Sequence, residues 1–421
     1  MVDTPNTPEV TSNDSDLLTT FELGVEGADP NIFSDFTIRE VQLAESLLTP
    51  GLQTSFKVHS YFHSIPVKNF DTFKNKNLVI SINRPGLSSY RDFVGKTSLD
   101  ISQTLYRLGG RSSTSPLTTD NRKLINRGVE ELTFHACDKT LLNDAASLVS
   151  KSWKCTTPSS IVQEVLSTCA GARSLDIEEC DPARDFVAEN KHPFQVVSQQ
   201  ANAALAAGND PSFVHYMTYE NYGTHHFRSL YSLSQQDPII ELEYNMTGSS
   251  YSYPYSIMNY TFPCDFDMLS DILNGVGSSG ADINSVAIFN PLIGLFSLMG
   301  DQSVGCGIGG GVYKIAMSNQ GSAGDQFSCP DFVSTYLPKR QARMALLERD
   351  KIALRLTVPW NPIYNAGKVI KINLKNDQDS SILNYGSGNY LIVSLIHTIR
   401  SGGYSTITMD CVSQTVGQGE V

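Results

Sequence analysis

Hydrophobic and polar positions alternate with period two through two long parts of the chain, the pattern of strands with one buried face. Between Thr54 and Phe62 the residues Phe56, Val58 and Phe62 fall on one face and Lys57 and His59 on the other. Leu78, Ile80 and Ile82 repeat the period, as do Leu132, Phe134 and Ala136. It returns at Phe213, Val214, Tyr216 and Tyr219, then over Phe227 to Leu233 and Ile239 to Tyr244, and again at Ile352, Leu354, Leu356 and Val358, and at Ile370, Ile372 and Leu374. Leu391, Val393 and Leu395 precede a Ser401-Gly402-Gly403 turn, from which Tyr404 to Val412 pairs back as a hairpin. The polar stretch Gly109 to Asn126 predicts a long exposed loop.

The period changes to that of a helix after Thr157-Pro158, a capping residue before Pro at the first helical position. Ile161, Val162, Val165, Leu166 and Cys169 follow, with Gly171 as the stop. A second helix is predicted from Pro193, with Phe194, Val197, Ala201, Ala204 and Leu205 on one face and Gly208 as its end. Phe266, Leu269, Ile272, Leu273 and Val276 predict a third, leading into a glycine-rich stretch, and a basic helical segment spans Arg340 to Arg349.

A chain of 421 residues predicts two to four domains. The charged fraction is 18%, with 18 Tyr and 19 Phe, which favours β-rich architecture. A net charge of -12 argues against sequence-independent DNA binding and suits a wall past which DNA slides. The eight Cys are Cys137, Cys155, Cys169, Cys180, Cys264, Cys306, Cys329 and Cys411; none forms a C-x-x-C pair, so buried reduced thiols are expected. Residues 1–35 hold eight acids and no Lys or Arg, which reads as a flexible acidic arm and not a signal peptide. Ile283 to Met299 is interrupted by Asn284, Asn290 and Pro291 and falls below the roughly 18 residues of a membrane span.

The search for chemistry yields no catalytic, cofactor-binding or metal-binding residues. Gly305, Gly307 and Gly310 satisfy G-x-G-x-x-G, but Val312 to Met317 reads as a strand where the nucleotide motif needs a helix. His59 and His63 would be neighbours only on a helix, and His225-His226 lacks carboxylates at metal-site spacing; surface or half-buried histidines are expected. Glu130-Glu131 and Glu178-Glu179 are adjacent acids whose side chains diverge on a strand. Lys339, Arg340, Arg343, Arg349 and Lys351 predict a basic face, solvated or in contact with another subunit. Tyr251 to Tyr260 reads as an aromatic strand or subunit contact, with carbohydrate binding as the sharper alternative.

The run Gly388-Asn389-Tyr390-Leu391-Ile392-Val393, then Ile396-His397-Thr398-Ile399 and Gly402-Gly403-Tyr404-Ser405-Thr406, resembles the closing segment of baseplate hub proteins of contractile-tailed, myovirus-type bacteriophages. Ala366 to Ile370, Pro193-Phe194, Pro211-Ser212-Phe213, Phe227 to Leu230, and Glu131 to Phe134 followed by Val149 to Ser152 agree in order with that family. The resemblance implies a mainly β, α+β fold of two tail-tube-like β-barrel domains joined by an α/β connector, with an inserted domain. It places the first barrel at 36–148, the connector at 149–211, and a split second barrel at 212–262 and 339–415 around an insertion at 263–338, with a tail at 416–421. It further implies a non-enzymatic homotrimer between a hexameric tail tube and a trimeric central spike. Baseplate wedge and tape-measure proteins would be neighbours, DNA would pass only in transit through the lumen, and no membrane insertion is involved. The rival readings are a tail-associated cell-wall hydrolase and a carbohydrate-binding tail protein.

Overall fold

The computed structural model describes residues 20–25, 36–60, 77–84, 96–114, 129–207, 210–244, 255–263, 286–290, 295–299, 314–317, 340, 354–374, 386–400 and 405–413. The first strands are β1 (Thr20–Val25), β2 (Phe36–Ser46), β3 (Gln53–Ser60), β4 (Asn77–Asn83), β5 (Ser98–Thr114) and β6 (Val129–Cys137). Then come α1 (Lys139–Ala146), β7 (Val149–Thr156), α2 (Pro158–Val165) with a π turn at Leu166–Ala170, β8 (Ser174–Ile177), β9 (Arg184–Lys191) and α3 (Pro193–Ala201). The hairpin β10 (Phe213–Thr218) and β11 (Thr224–Ser229) is followed by α4 (Leu230–Ser234), β12 (Glu241–Tyr244) and β13 (Asn259–Thr261). The later strands are β14 (Val286–Asn290), β15 (Leu295–Met299), β16 (Lys314–Met317), β17 (Leu354–Pro359), β18 (Val369–Leu374), β19 (Gly388–Arg400) and β20 (Thr406–Val412).

The molecule is mainly β, as expected, but the two expected barrels are not seen as closed objects among the described residues. Twelve strands form one continuous sheet in the order β1-β4-β5-β6-β3-β2-β19-β20-β17-β13, with β18 and β12 added beside the first half of β19. The long strand β19 makes this join. Val369 to Ile372 pair with Leu391 to Gly388, while Ser46 to Glu40 pair with Ser394 to Arg400. Open edges satisfy their backbone groups by pairing, and here the edge of one six-stranded half closes the edge of the other.

Alternation decides which face is buried. Val41, Leu43, Phe56, Val58, Leu132 and Phe134 point inward at no more than 2% exposure, and Phe56 stacks on its cross-strand partner Phe134 at 5.1 Å between ring centres. Each such side chain contributes about 1.5–3 kcal/mol by leaving water. Leu354, Leu356, Val358, Ile370, Ile372, Ile392, Leu395 and Ile407 continue the same core from the second half.

The helices build a second core. Ile161, Val162, Val165 and Leu166 are at most 1% exposed and pack with Val196, Val197 and the stacked pair Phe213–Phe227. Gly171 ends this helix in the left-handed region, φ 71, its N–H returning to the Leu166 carbonyl. Thr157 precedes Pro158 as the spacing predicts, yet its hydroxyl meets Ser159 and Ser160 and makes no backbone cap. The helix at Pro193 ends at Ala201 instead of reaching Gly208, with Ala204 and Leu205 still buried in the turn beyond it. Its start is held by Asp144 of α1, which accepts from the Phe194 N–H at 2.7 Å.

Four expectations change locally. Within the expected flexible arm at 1–35, Thr20 to Val25 form β1 and pair antiparallel with Asn83 to Leu78 of β4. Gly109 to Thr114 are strand, because Gly109-Gly110 lets β5 bulge past β6; a Cβ on Gly109 would meet His135 Nε2 at 2.8 Å. The strand predicted over Phe227 to Leu233 turns helical after Ser229, whose hydroxyl accepts from the Ser232 N–H as an N-cap. The first two strands after Ser212 do not join the large sheet: β10 pairs with β11, and β11 runs parallel to β8, so they extend the core of the 149–211 segment. The predicted helix at 266–276, the Gly305 to Gly310 motif, the basic stretch beyond Arg340 and the Ser401 to Gly403 turn lie outside the described residues.

Candidate interface: a three-way junction beneath a polar sheet face

The period-two pattern of β2 places one carboxylate where an aliphatic residue belongs. Val41, Leu43, Glu45 and Leu47 all face inward, at 1%, 0%, 2% and 1% exposure. Glu45 Oε1 accepts from the Tyr219 N–H and Oε2 from the Ala366 N–H, each at 2.8 Å. One side chain of the first half of the sheet thus holds the end of β10 and the turn before β18. Burial pushes its carboxyl up to about 8, against the two backbone N–H bonds that lower it.

Tyr219 continues the junction. Its hydroxyl donates to the Gln53 carbonyl at 2.9 Å and lies 3.2 Å from the Thr54 hydroxyl. Its ring meets His397 of β19 edge-on at 6.5 Å. The tip of the same hairpin carries Glu220, whose carboxylate receives Asn365 Nδ2 at 3.1 Å and Lys368 Nζ at 3.5 Å. Gly367 completes the turn with φ 83, its missing side chain making room for Tyr216. Gly367→Ala is expected to cost about 2 kcal/mol from the left-handed backbone alone, read as a lowered denaturation midpoint at unchanged slope.

The histidines are not where the sequence pattern puts them. His225 and His226 are buried, at 0% and 5% exposure, and not on the surface. His215 Nε2 lies 3.1 Å from His225 Nδ1, and His225 Nε2 lies 3.1 Å from the Thr140 hydroxyl, which donates to Asp138. With Asp138 accepting, the chain runs one way, each ring donating through Nε2. His226 faces the other side of the hairpin, between Asp176 at 2.8 Å and Thr218 at 2.9 Å. Among the described residues no group of three or more His, Cys, Asp or Glu is arranged to hold a metal ion.

The remaining sequence candidates separate. His59 sits on β3 between Arg39 and Glu131, and His63 lies outside the described residues. Glu178 accepts from the Ser229 N–H and the Ser229 and Ser232 hydroxyls, supporting the start of α4. Arg340 is no solvated residue: its guanidinium donates to the Pro211 and Phe213 carbonyls and to Asn202. Of the described cysteines, Cys137, Cys180 and Cys411 are buried thiols, Cys169 is half-buried and Cys155 is exposed. Tyr260 of the aromatic stretch packs edge-on with Tyr244 and Phe262. No helix among the described residues is long and apolar enough to cross a membrane.

Opposite the core, the large sheet presents four cross-strand rows of unburied residues. Thr261, Arg355, Asp410, Ser394 and Ser46 form one, followed by Asn259, Thr357, Thr408, Ile396, Ala44 and Gln53. Then come Thr406, Thr398, Gln42, Ser55, His135 and Arg107, and last Arg400, Glu40, Lys57 and Thr133. Serine, threonine and amides dominate, and most of the charges are paired: Arg355 with Asp410 at 2.6 Å, and Glu40 with both Lys57 at 3.2 Å and Arg400 at 3.1 Å. None of these rows is legible in full in the sequence, because each crosses from β2 to β19, hundreds of residues apart.

No family model matches the chain, and no curated protein matches it by sequence. Its structure is similar to that of a tail protein from Neisseria meningitidis MC58, with a TM-score of 0.55 and 12% identity, covering 94% of this chain and 97% of that one. It is also similar to a 43 kDa tail protein of prophage MuSo2 from Shewanella oneidensis, with a TM-score of 0.53 and 9% identity over 93% and 97% of the two chains. At these identities the likeness is one of fold, and it runs nearly end to end.

Proposed function

We propose that this chain is a structural protein of a phage-type tail, acting as the trimeric baseplate hub between a hexameric tail tube and a trimeric central spike. The observation that carries the reading is the division of the sheet. Six strands, β1 to β6, and six more, β12, β13 and β17 to β20, meet edge to edge at β2 and β19 within one chain. If each half is a tube-like module, three copies present six modules to a sixfold tube and keep threefold symmetry for the spike. The likeness of fold to two tail proteins supports the same reading. The work is adaptation and not catalysis: β-rich contacts to tube and spike, wedge and tape-measure proteins as neighbours, and a lumen for DNA in transit. Its place would be the tail baseplate of a virion assembled in the bacterial cytoplasm.

Negative-stain electron microscopy of the purified chain, alone and co-expressed with its spike, tests this. Class averages are expected to show threefold rings with a central hole. Compact monomers under both conditions would remove the hub reading.

A further inference from the structure

The last outward row sets two cations on either side of one carboxylate. Glu40 of β2 lies between Arg400 of β19 and Lys57 of β3, and also accepts from Gln42 Nε2 at 2.8 Å. Neighbouring strands are about 4.8 Å apart, so β19 and β3 carry their cations roughly one Debye length apart at physiological salt. The bulge in β2 turns Arg39 outward to His59 at 3.1 Å, and His59 is also 3.4 Å from Glu131. Three cations, Arg39, Lys57 and Arg400, therefore meet two acids, Glu40 and Glu131. The next row supplies Thr398, Thr406, Gln42 and Ser55, groups that hydrogen-bond phosphate oxygens, and ends at exposed Arg107.

Cations set among neutral hydrogen-bonding groups are what sequence-independent binding of a polyanion requires. Here Glu40 cancels the charge of the central pair in place, leaving Arg107 at the far end of the next row exposed. Lys57 is 45% exposed and Arg400 58%, whereas Glu40 is only 15% exposed, so the carboxylate is seated within the sheet surface and its two partners extend around it. Arg355 and Asp410 repeat the cancellation in the row at the other end of the face.

We propose that Glu40 is the residue that decides how this face meets nucleic acid: its carboxylate takes the place a phosphate would take between Lys57 and Arg400, so the face lets a polyanion pass without holding it. That the polyanion is DNA in transit rests on the tail reading above; the charge cancellation does not.

The test uses the full chain and anisotropy of a short labelled DNA duplex, from about 50 to about 200 mM salt. The unsubstituted chain and Glu40→Asp, which keeps the charge, are expected to bind too weakly to measure. Glu40→Gln is expected to bind at least about tenfold tighter, with a salt slope steeper by about two for the two freed cations. Adding Lys57→Gln to Glu40→Gln should undo most of that gain. Gln42→Lys, which keeps Glu40 and adds a cation beside it, gives a second route to the same gain should Glu40→Gln fold poorly. Folded Glu40→Gln or Gln42→Lys with the DNA affinity of the parent overturns the proposal, as does Glu40→Asp binding as tightly as Glu40→Gln. Ring formation by the unsubstituted chain judges the hub reading separately, because none of these outcomes depends on it.

Discussion

Glu45→Ala is expected to destabilise the protein by about 2–6 kcal/mol, since it strands two buried backbone N–H groups at about 1–3 kcal/mol each. The donors belong to Tyr219 and Ala366, in separate parts of the chain, so the loss also loosens the hairpin from the sheet. Thermal unfolding followed by both tryptophan fluorescence and far-ultraviolet circular dichroism should then split, because Trp153 reports the helical core and Trp360 the large sheet. Glu45→Gln restores one acceptor and should recover about half of the loss. The pH dependence separates the two variants from the parent. The carboxyl's folded-state value, about 8, lies above its unfolded value, so its contribution is fully present below about 4.5 and is lost as pH rises through 8. Glu220 nearby raises that value further and Lys368 lowers it. The alkaline fall from this group should be missing in Glu45→Gln. Stability within about 0.5 kcal/mol of the parent for both variants, which is the range of ordinary surface substitutions, would show that Glu45 is no fastening at all.

Much of the sheet is legible in the sequence because its signal is local. Phe56, Val58, Leu132 and Phe134, and Leu354, Leu356 and Val358, report their own faces by alternation, and each is buried as that period requires. The helix at Ile161 to Leu166 is equally local, with Pro158 at its start and Gly171 at its stop. What alternation cannot report is the partner. The pairing of β2 with β19 joins positions hundreds of residues apart, for example Glu40 and Arg400. The short strand β8, half-buried throughout, gives no sign that β11 will lie parallel to it. Closure fails for the same reason: alternation in Ile370 or Leu395 is the same whether the sheet curls into a barrel or runs on into the other half. For Phe227 to Leu233 a local clue was present, since Leu230 and Leu233 are spaced for a helix and Ser229 stands in front of them. Glu45 was legible too, as an acid at an inward position between Leu43 and Leu47. Its role was not, because both donors come from distant backbone.

Acidification from pH 7 to pH 5 is expected to remove about 3 kcal/mol of stability, a large share of the 5–15 kcal/mol a typical domain has. Three buried histidines drive it. Burial holds His225 and His397 down to about 3, and holds His215 well below its ordinary value, with the charges of His225 and His226 adding to the effect at His215. The unfolded chain binds a proton at each near 6.5 while the folded chain does not, so stability rises with pH in this window and is lost below it. At about 1.4 kcal/mol per pH unit for each, His225 and His397 lose about 4 kcal/mol between 6.5 and 5, and His215 adds to the loss in the same direction. Glu45, whose shift has the opposite sign, returns about 3 kcal/mol over the full fall from pH 7 to pH 5. His397 isolates the cause, since neither ring nitrogen has a hydrogen-bond partner among the described residues and its ring faces Tyr219. His397→Leu keeps the volume, removes the titration and should flatten the acid limb by about 1.4 kcal/mol per pH unit. Urea unfolding at the two pH values reads both effects. Equal stability at pH 5 and pH 7, or an acid limb unchanged in His397→Leu, would mean that these rings take up protons without leaving the folded state.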